Sequence, residues 1–261
     1  MIKALFFDID GTLVSFDTHV VPPSAVDAIR AAHEAGVRIF IATGRPAVII
    51  NNIAPLQQAG LISGYVTMNG AYCFVDDTVI YKSPIPPADV HALARASQDE
   101  GFPCIFVGEH DISVCQPDDE VVDIFHDILK VDDIPLATPD EVVRRDIYQM
   151  SPFIGLQREA DLMPALPGSE SNRWHPVFTD ITARGNNKQH GISRIIEHFG
   201  IRRDEIMALG DGGNDIGMLR YAHIGIAMGN ARDEVKAVAD YVTTDVDRAG
   251  VEHALHHFGI V

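Results

Sequence analysis

Two aspartates two positions apart, Asp8 and Asp10, close an apolar run near the start of the chain and lead into Gly11-Thr12. A carboxylate pair of this kind can divide labour, one member attacking an electrophile covalently while the other moves the proton. A second apolar run closes in Thr43-Gly44-Arg45, and a third in Gly210-Asp211-Gly212-Gly213-Asn214-Asp215. Carboxylates, a hydroxyl and glycine-rich turns form an inventory for metal-assisted phosphoryl transfer. Gathered together, the acids would repel one another and a phosphate, each close pair by roughly 4 kcal/mol at about 4 Å with an effective dielectric near ~20. Such a site needs a cation. Oxygen ligands without histidine or cysteine favour Mg2+. Asp8 and Asp211 are the expected side-chain ligands, with the Asp10 backbone carbonyl a third and Asp215 as the residue that orients them. Each piece alone reads as an ordinary turn, since aspartate, glycine and threonine are common turn formers. The Gly210–Gly213 run lacks the lysine and hydroxyl of a nucleotide P-loop and misses the dinucleotide spacing.

The elements that must position these groups follow from the apolar pattern. Ile2 to Phe7 reads as a strand buried on both faces. Pro22-Pro23 opens an amphipathic helix over Ser24 to Ala35, with Val26, Ile29 and Ala32 at helical spacing and Gly36 to stop it. Val37 to Ala42 is the next strand, a second helical stretch follows Pro46, and Tyr65 to Met68 is a third strand. This βαβαβ order predicts a doubly wound parallel sheet, whose ligand crevice lies beyond the carboxyl ends of the strands, where the three polar turns fall. The alternation then breaks. Ala71 to Val75 and Thr78 to Tyr81 flank Asp76-Asp77 as a hairpin, and Lys82 to Pro87 reads as a stiff linker. Helices over Ala88 to Glu100 and Asp118 to Leu129 mix with strands at Cys104 to Val107 and Ile112 to Cys115, which predicts an α+β insertion. The core pattern resumes with a helix from Asn187 to Phe199 closed by Gly200, a strand Glu205 to Leu209, a helix through Met218 and Leu219, a strand Ile224 to Met228, a helix Arg232 to Val238, and Tyr241 to Thr243. The expected domains are a core of residues 1–82 and 184–261 and an inserted α+β cap of 83–183.

The run Asp8-Ile9-Asp10-Gly11-Thr12-Leu13 after an apolar strand resembles the first signature of haloacid dehalogenase-like phosphatases. Thr43, Lys188 at the opening of a helix, and Gly210 to Asp215 resemble the second, third and fourth. Ala42-Thr43-Gly44-Arg45, Met68-Asn69-Gly70-Ala71 and the large insertion between the second and third motifs are similar to the Cof-like subgroup, and the resemblance covers essentially the whole chain. It implies Asp8 as nucleophile and Asp10 as general acid and base. It also implies Thr43, Gly44 and the backbone at Ile9 as phosphate contacts, and Lys188 as a cation facing the transition state. Asn214 becomes a candidate contact of phosphate or Lys188, and Arg45 and Asn69 candidate substrate contacts. Arg45 fits equally a residue that caps the following helical segment and pairs with an acid. The implied reaction is Mg2+-dependent hydrolysis of a small phosphorylated metabolite, a sugar phosphate above all, with a cap that closes over the site and selects the substrate.

Composition narrows the alternatives. Twenty basic against thirty-seven acidic residues leave a net charge of −17, a field that repels polyanions, so no nucleic acid partner is expected. Cys73, Cys104 and Cys115 are an odd, unclustered set that suits reduced thiols. Asp8 and Asp10 interrupt the apolar start before a signal sequence is complete, and no apolar run is long enough to span a bilayer. A cytoplasmic monomer or small homo-oligomer, without a membrane partner, is the expectation. The histidines, among them His110, His126 and His175, form no metal-ligand pattern, Trp174 to Phe178 reads as cap core, and Asp118-Asp119-Glu120 as a helix N-terminal turn. Two rivals use similar residues. A sugar phosphomutase typically carries a smaller helical cap elsewhere, and a receiver-type signalling module lacks a second carboxyl at the position of Asp10.

Overall fold

The apolar run at the start forms strand β1 (Ala4–Phe7), every residue of it buried. Its alternate side chains feed two cores, Leu5 and Phe7 on one face of the sheet and Ala4 and Phe6 on the other. That is why the strand reads as continuously apolar rather than alternating. A computed structural model of the chain describes residues 1–119, 121, 134–173 and 175–261, and it divides into two units by internal contact. One spans Met1–Gly44, Ile50–Tyr81 and Asn187–Val261, the other Arg45–Ile49 and Lys82–Asn186.

The first unit is built on β1, β2 (Arg38–Ala42), β3 (Gly64–Thr67), β4 (Tyr72–Val75), β5 (Thr78–Lys82) and, late in the chain, β11 (Ile206–Gly210), β12 (Ile224–Ala227) and β13 (Tyr241–Val242). Between β5 and β11 the inserted unit supplies β6 to β10. The core sheet has the order β13-β12-β11-β1-β2-β3-β4-β5. Its pairs from β13 to β3 are parallel, and the β3–β4 pair is antiparallel. The expected hairpin thus completes this sheet. Register places the functional turns: Phe7 of β1 faces Ile41 of β2 and Leu209 of β11, so Asp8, Thr43 and Asp211 leave the same edge of the sheet. Helices cover both faces, among them Pro23–Glu34 and Gly250–His257 on one and Lys188–Phe199 and Ile216–Tyr221 on the other.

The second unit carries β6 (Cys104–Val107), β7 (Ile112–Cys115), β8 (Gln149–Pro152), β9 (Ser169–Asn172) and β10 (Asp180–Ala183) in the order β7-β6-β8-β10-β9. All its pairs are antiparallel. Its core joins Cys104, Phe106, Met150 and Ile181 to Val90, Leu93 and Ala94 of the helix Pro87–Glu100. The chain therefore has a doubly wound α/β core and an inserted α+β unit.

Sequence pattern and structure differ at several places. After Pro46 there is a short 3-10 turn, Ala47–Ile49, and a five-residue helix, Ala54–Gln58, because Pro55 restarts the chain one residue into the second. Strands β8, β9 and β10 read Gln-Met-Ser-Pro, Ser-Glu-Ser-Asn and Asp-Ile-Thr-Ala, too polar to announce themselves. Most of the expected helix Asp118 to Leu129, with Glu120 and His126, lies outside the described residues, as does Trp174. At its start Asp118 accepts the amide of Val121 at 3.1 Å, as a helix-opening aspartate does. Phe178 is buried and stacked on Phe153 at 5.2 Å, which places the end of the aromatic tract in packing. Among the described residues no helix is long and apolar enough to cross a membrane.

Candidate active site

Lys188 opens the helix Lys188–Phe199, capped by Asn187, whose side chain accepts the amide of His190 at 2.8 Å. That cap fixes the first turn and turns the lysine inward. Its ammonium is fully buried and bridges two carboxylates, donating to Asp8 Oδ1 at 2.5 Å and to Asp215 Oδ1 at 2.6 Å. Asp215 is itself held from behind, its Oδ2 accepting the backbone N–H groups of Asp211 and Gly212, each at 2.9 Å. Gly210 permits this, since a Cβ there would lie 2.6 Å from the Asp215 side chain. Asp8, Asp211 and Asp215 each place a carboxylate oxygen within 4.8 Å of the others.

The charges do not balance. Burial opposes the ammonium of Lys188, but the carboxylates of Asp215 and Asp8 outweigh it and raise its pKa. For Asp8 burial dominates and raises the pKa well above the ordinary value. Lys188 pulls it down, and Asp215, Asp211 and Asp10 push it further up. Asp211 is pushed up to about 7, first by burial and then by Asp215, against the opposing pull of Lys188 and of a hydrogen bond from Thr12. Acids and base rise together because several carboxylates share one ammonium: the base is overcompensated and the acids are undercompensated. A cluster of hard oxygen donors short of positive charge fits a divalent cation, with Asp8 and Asp211 able to hold it.

The remaining expected residues fall into distinct places. Asp10 pairs with Val14 in a bridge that closes the turn, and its Oδ1 accepts the side-chain amide of Asn52 at 3.3 Å. The Ile9 side chain lies in the core, while its carbonyl accepts the amides of Leu13 and Val14 at 2.9 and 2.8 Å. Thr43, buried at the end of β2, receives the Asn69 amide on its carbonyl at 3.1 Å. Asn69 sits at φ 50°, ψ 37°, a left-handed conformation that asparagine tolerates better than most residues. Its Oδ1 accepts the side-chain amide of Asn214 at 3.1 Å, so Asn214 reaches Asn69 rather than Lys188. The Asn69 Nδ2 is buried with no partner among the described residues, and a Cβ on Gly44 would lie 3.2 Å from it. Thr43, Gly44, Asn69 and Asn214 thus form one group. Arg45 belongs by contact to the second unit and donates to the Ile49 carbonyl at 3.2 Å, closing the short turn there.

Three contacts were not legible in the motifs. Thr12 donates to Asp211 Oδ1 at 3.4 Å, Asn52 reaches Asp10, and Asn230 donates to Asp211 Oδ2 at 3.3 Å. Asn230 follows the end of β12, so the rule that reads strand ends could have found it.

The family model described as haloacid dehalogenase-like hydrolase matches residues 5–255. A solved structure titled as the HAD subclass IIB sugar phosphatase BT4131 is 56% identical, with a TM-score of 0.96 over 99% of this chain and 100% of that one. YkrA of Bacillus subtilis, which bears a provisional phosphatase name, is 31% identical over 99% of this chain and 98% of its own length. YcsE of the same organism, a 5-amino-6-(5-phospho-D-ribitylamino)uracil phosphatase, is 28% identical over 98% of this chain and 96% of its own.

Proposed function

We propose that this chain, which belongs to the haloacid dehalogenase-like hydrolase family and is a phosphoric monoester hydrolase, acts on small sugar phosphates through a phosphoenzyme on Asp8. The observation that carries the reading is the buried Lys188 bridging Asp8 and Asp215 beside Asp211. Lys188 fixes Asp8 by one oxygen, so the nucleophile does not have to be ordered when substrate arrives. In the first step an Asp8 oxygen bonds to phosphorus as the bond from phosphorus to the sugar oxygen breaks, and Asp10 gives that oxygen its proton. In the second, Asp10 takes a proton from water, the water oxygen bonds to phosphorus, and the bond to Asp8 breaks to return the carboxylate. Thr43, Gly44 and the Ile9 backbone hold the phosphoryl oxygens. The unpartnered Nδ2 of Asn69 suits the same work, since a buried donor without an acceptor costs about 1–3 kcal/mol until something accepts from it. When bound, a magnesium-type cation at Asp8 and Asp211, with the Asp10 carbonyl, supplies the positive charge that lets a phosphate enter an acidic site. The substrate class follows the 56% identity to a sugar phosphatase. A cytoplasmic setting suits the three buried, free cysteines.

The test is phosphate release, with magnesium, from a panel of hexose and pentose phosphates set beside phosphoribitylamino-uracil and pyridoxal phosphate. Asp8→Asn should lose on the order of 10^4-fold or more in kcat while its near-UV circular dichroism is unchanged. Turnover that survives Asp8→Asn, or a preference for the non-sugar substrates, would overturn the proposal.

A further inference from the structure

We infer that Asn230 is a positioning residue that sets the Asp211 carboxylate for cation binding, an inference that rests on the metal site proposed above. Asn230 stands just beyond the end of β12, and its side-chain amide ties together three loops at the functional edge of the core sheet. Nδ2 donates to the Gly11 carbonyl at 2.8 Å and to Asp211 Oδ2 at 3.3 Å, while Oδ1 accepts the Val246 amide at 3.0 Å. The two ends are not interchangeable, because a carbonyl needs the donor and a backbone N–H needs the acceptor, so the network itself fixes which way the amide points.

The other oxygen of Asp211 accepts from the buried hydroxyl of Thr12 at 3.4 Å. Each Asp211 oxygen therefore meets one neutral donor. Neutral donors aim a carboxylate without cancelling its charge, which leaves that charge for a cation, and such outer partners commonly change metal affinity by about 10–100-fold. Two glycines make the arrangement possible. A Cβ on Gly11, at φ +84°, would lie 2.2 Å from Asp211 Oδ2, and one on Gly229 would lie 2.3 Å from Asp245 Oδ1. Asn230 itself is exposed, so truncating it removes hydrogen bonds and no core packing.

The experiment is calorimetric titration of the full-length, metal-free protein with Mg2+ for wild type, Asn230→Ala and Ser15→Ala. Ser15 provides the control. Its hydroxyl ties the Gly11 loop to Asp247 at 3.0 Å, joining the same two segments without touching Asp211. The expected result is a Kd for Mg2+ raised about tenfold in Asn230→Ala and unchanged in Ser15→Ala, with the metal-free melting temperature of Asn230→Ala kept. The Mg2+ needed for half activation should rise by the same factor as Kd, with kcat restored at saturating metal. Wild-type affinity in Asn230→Ala overturns the inference, and so does an equal loss in both variants, which would assign the effect to loop anchoring. A wild type that binds no Mg2+ overturns the metal site itself, which separates that failure from this one.

Discussion

At residue 211 a proton and a cation compete for one carboxylate. Burial first, then Asp215, pushes the Asp211 pKa up to about 7, and a metal ligand must be deprotonated to bind. Below that value each Mg2+ must displace the Asp211 proton, and the Asp8 proton too wherever that raised carboxyl is still protonated, so its apparent Kd should rise by about tenfold or more per pH unit as pH falls. Calorimetry in two buffers of different ionisation enthalpy would show more proton release near pH 6 than near pH 9. An affinity that stays level from pH 5.5 to 8.5 would mean that the cation does not need Asp211. Lys188 cannot substitute as the titrating partner, because its two carboxylates hold it charged throughout this range.

Among the elements, the helix Lys188–Phe199 matters most, because its seating decides where the ammonium sits. It rests on the turn Met68–Gly70 through two glycines. A Cβ on Gly70, at φ +90°, would lie 2.1 Å from the Asn187 carbonyl, and one on Gly191 would lie 2.4 Å from Val66. Gly70→Ala meets a backbone atom that cannot move without shifting the helix cap, and adds a left-handed conformation costing about 1–2 kcal/mol for any other residue. It should lower stability by more than about 2 kcal/mol in urea unfolding and reduce kcat more than it weakens Mg2+ binding, since Lys188 moves while Asp211 does not. Wild-type stability would show that the turn yields. Neither the closeness of Gly70 nor its φ was legible in Met68-Asn69-Gly70-Ala71, because both arise between segments far apart in sequence. The buried strands β1, β2, β11 and β12 were legible, since a strand covered on both faces is apolar without interruption. So were β6 and β7, whose limits match the apolar runs Cys104 to Val107 and Ile112 to Cys115. Strands β8 to β10 were not: Met150 and Ile181 point to the core while Gln149, Ser151, Asp180 and Thr182 are buried polar residues. Of these, Ser151 donates to Asp180 at 2.7 Å. For Ser151 and Asp180 hydrogen bonding permits burial, which an apolar pattern does not register. Asn230 lies just past the end of β12, where the strand-end rule points, but it belongs to none of the motifs, and two of its three partners are a backbone carbonyl and a backbone amide.

For the whole molecule, the crowded acids turn into a pH dependence of stability opposite in sign to that of the ion-paired and capped acids elsewhere. Glu100, Glu141, Asp204 and Glu205 have pKa values held below the ordinary range, by hydrogen bonds from Arg158, from the Thr138 backbone, from Arg202 and from Lys3 respectively. Groups of that kind contribute stability present above about pH 4.5 and lost as pH falls through their folded values. Asp8 and Asp211 act in reverse. Their folded pKa values are raised, so the native state keeps protons that the unfolded chain has already lost, and stability falls as pH rises above the ordinary aspartate range, for Asp211 up to about 7. For Asp211 the full span corresponds to at most about 4 kcal/mol at 1.36 kcal/mol per unit. The metal-free protein should therefore be most stable near pH 5 and lose melting temperature toward pH 8, whereas saturating Mg2+ should flatten that decline by supplying the missing charge. His190, whose pKa burial depresses, works against the decline, so comparison with Asp211→Asn isolates the cluster: the neutral amide should remove a large part of the fall. If the metal-free wild type gains stability between pH 5 and 8, or if Asp211→Asn declines as steeply, the strand-end acids are not short of a cation and the case for a metal-assisted reaction weakens with them.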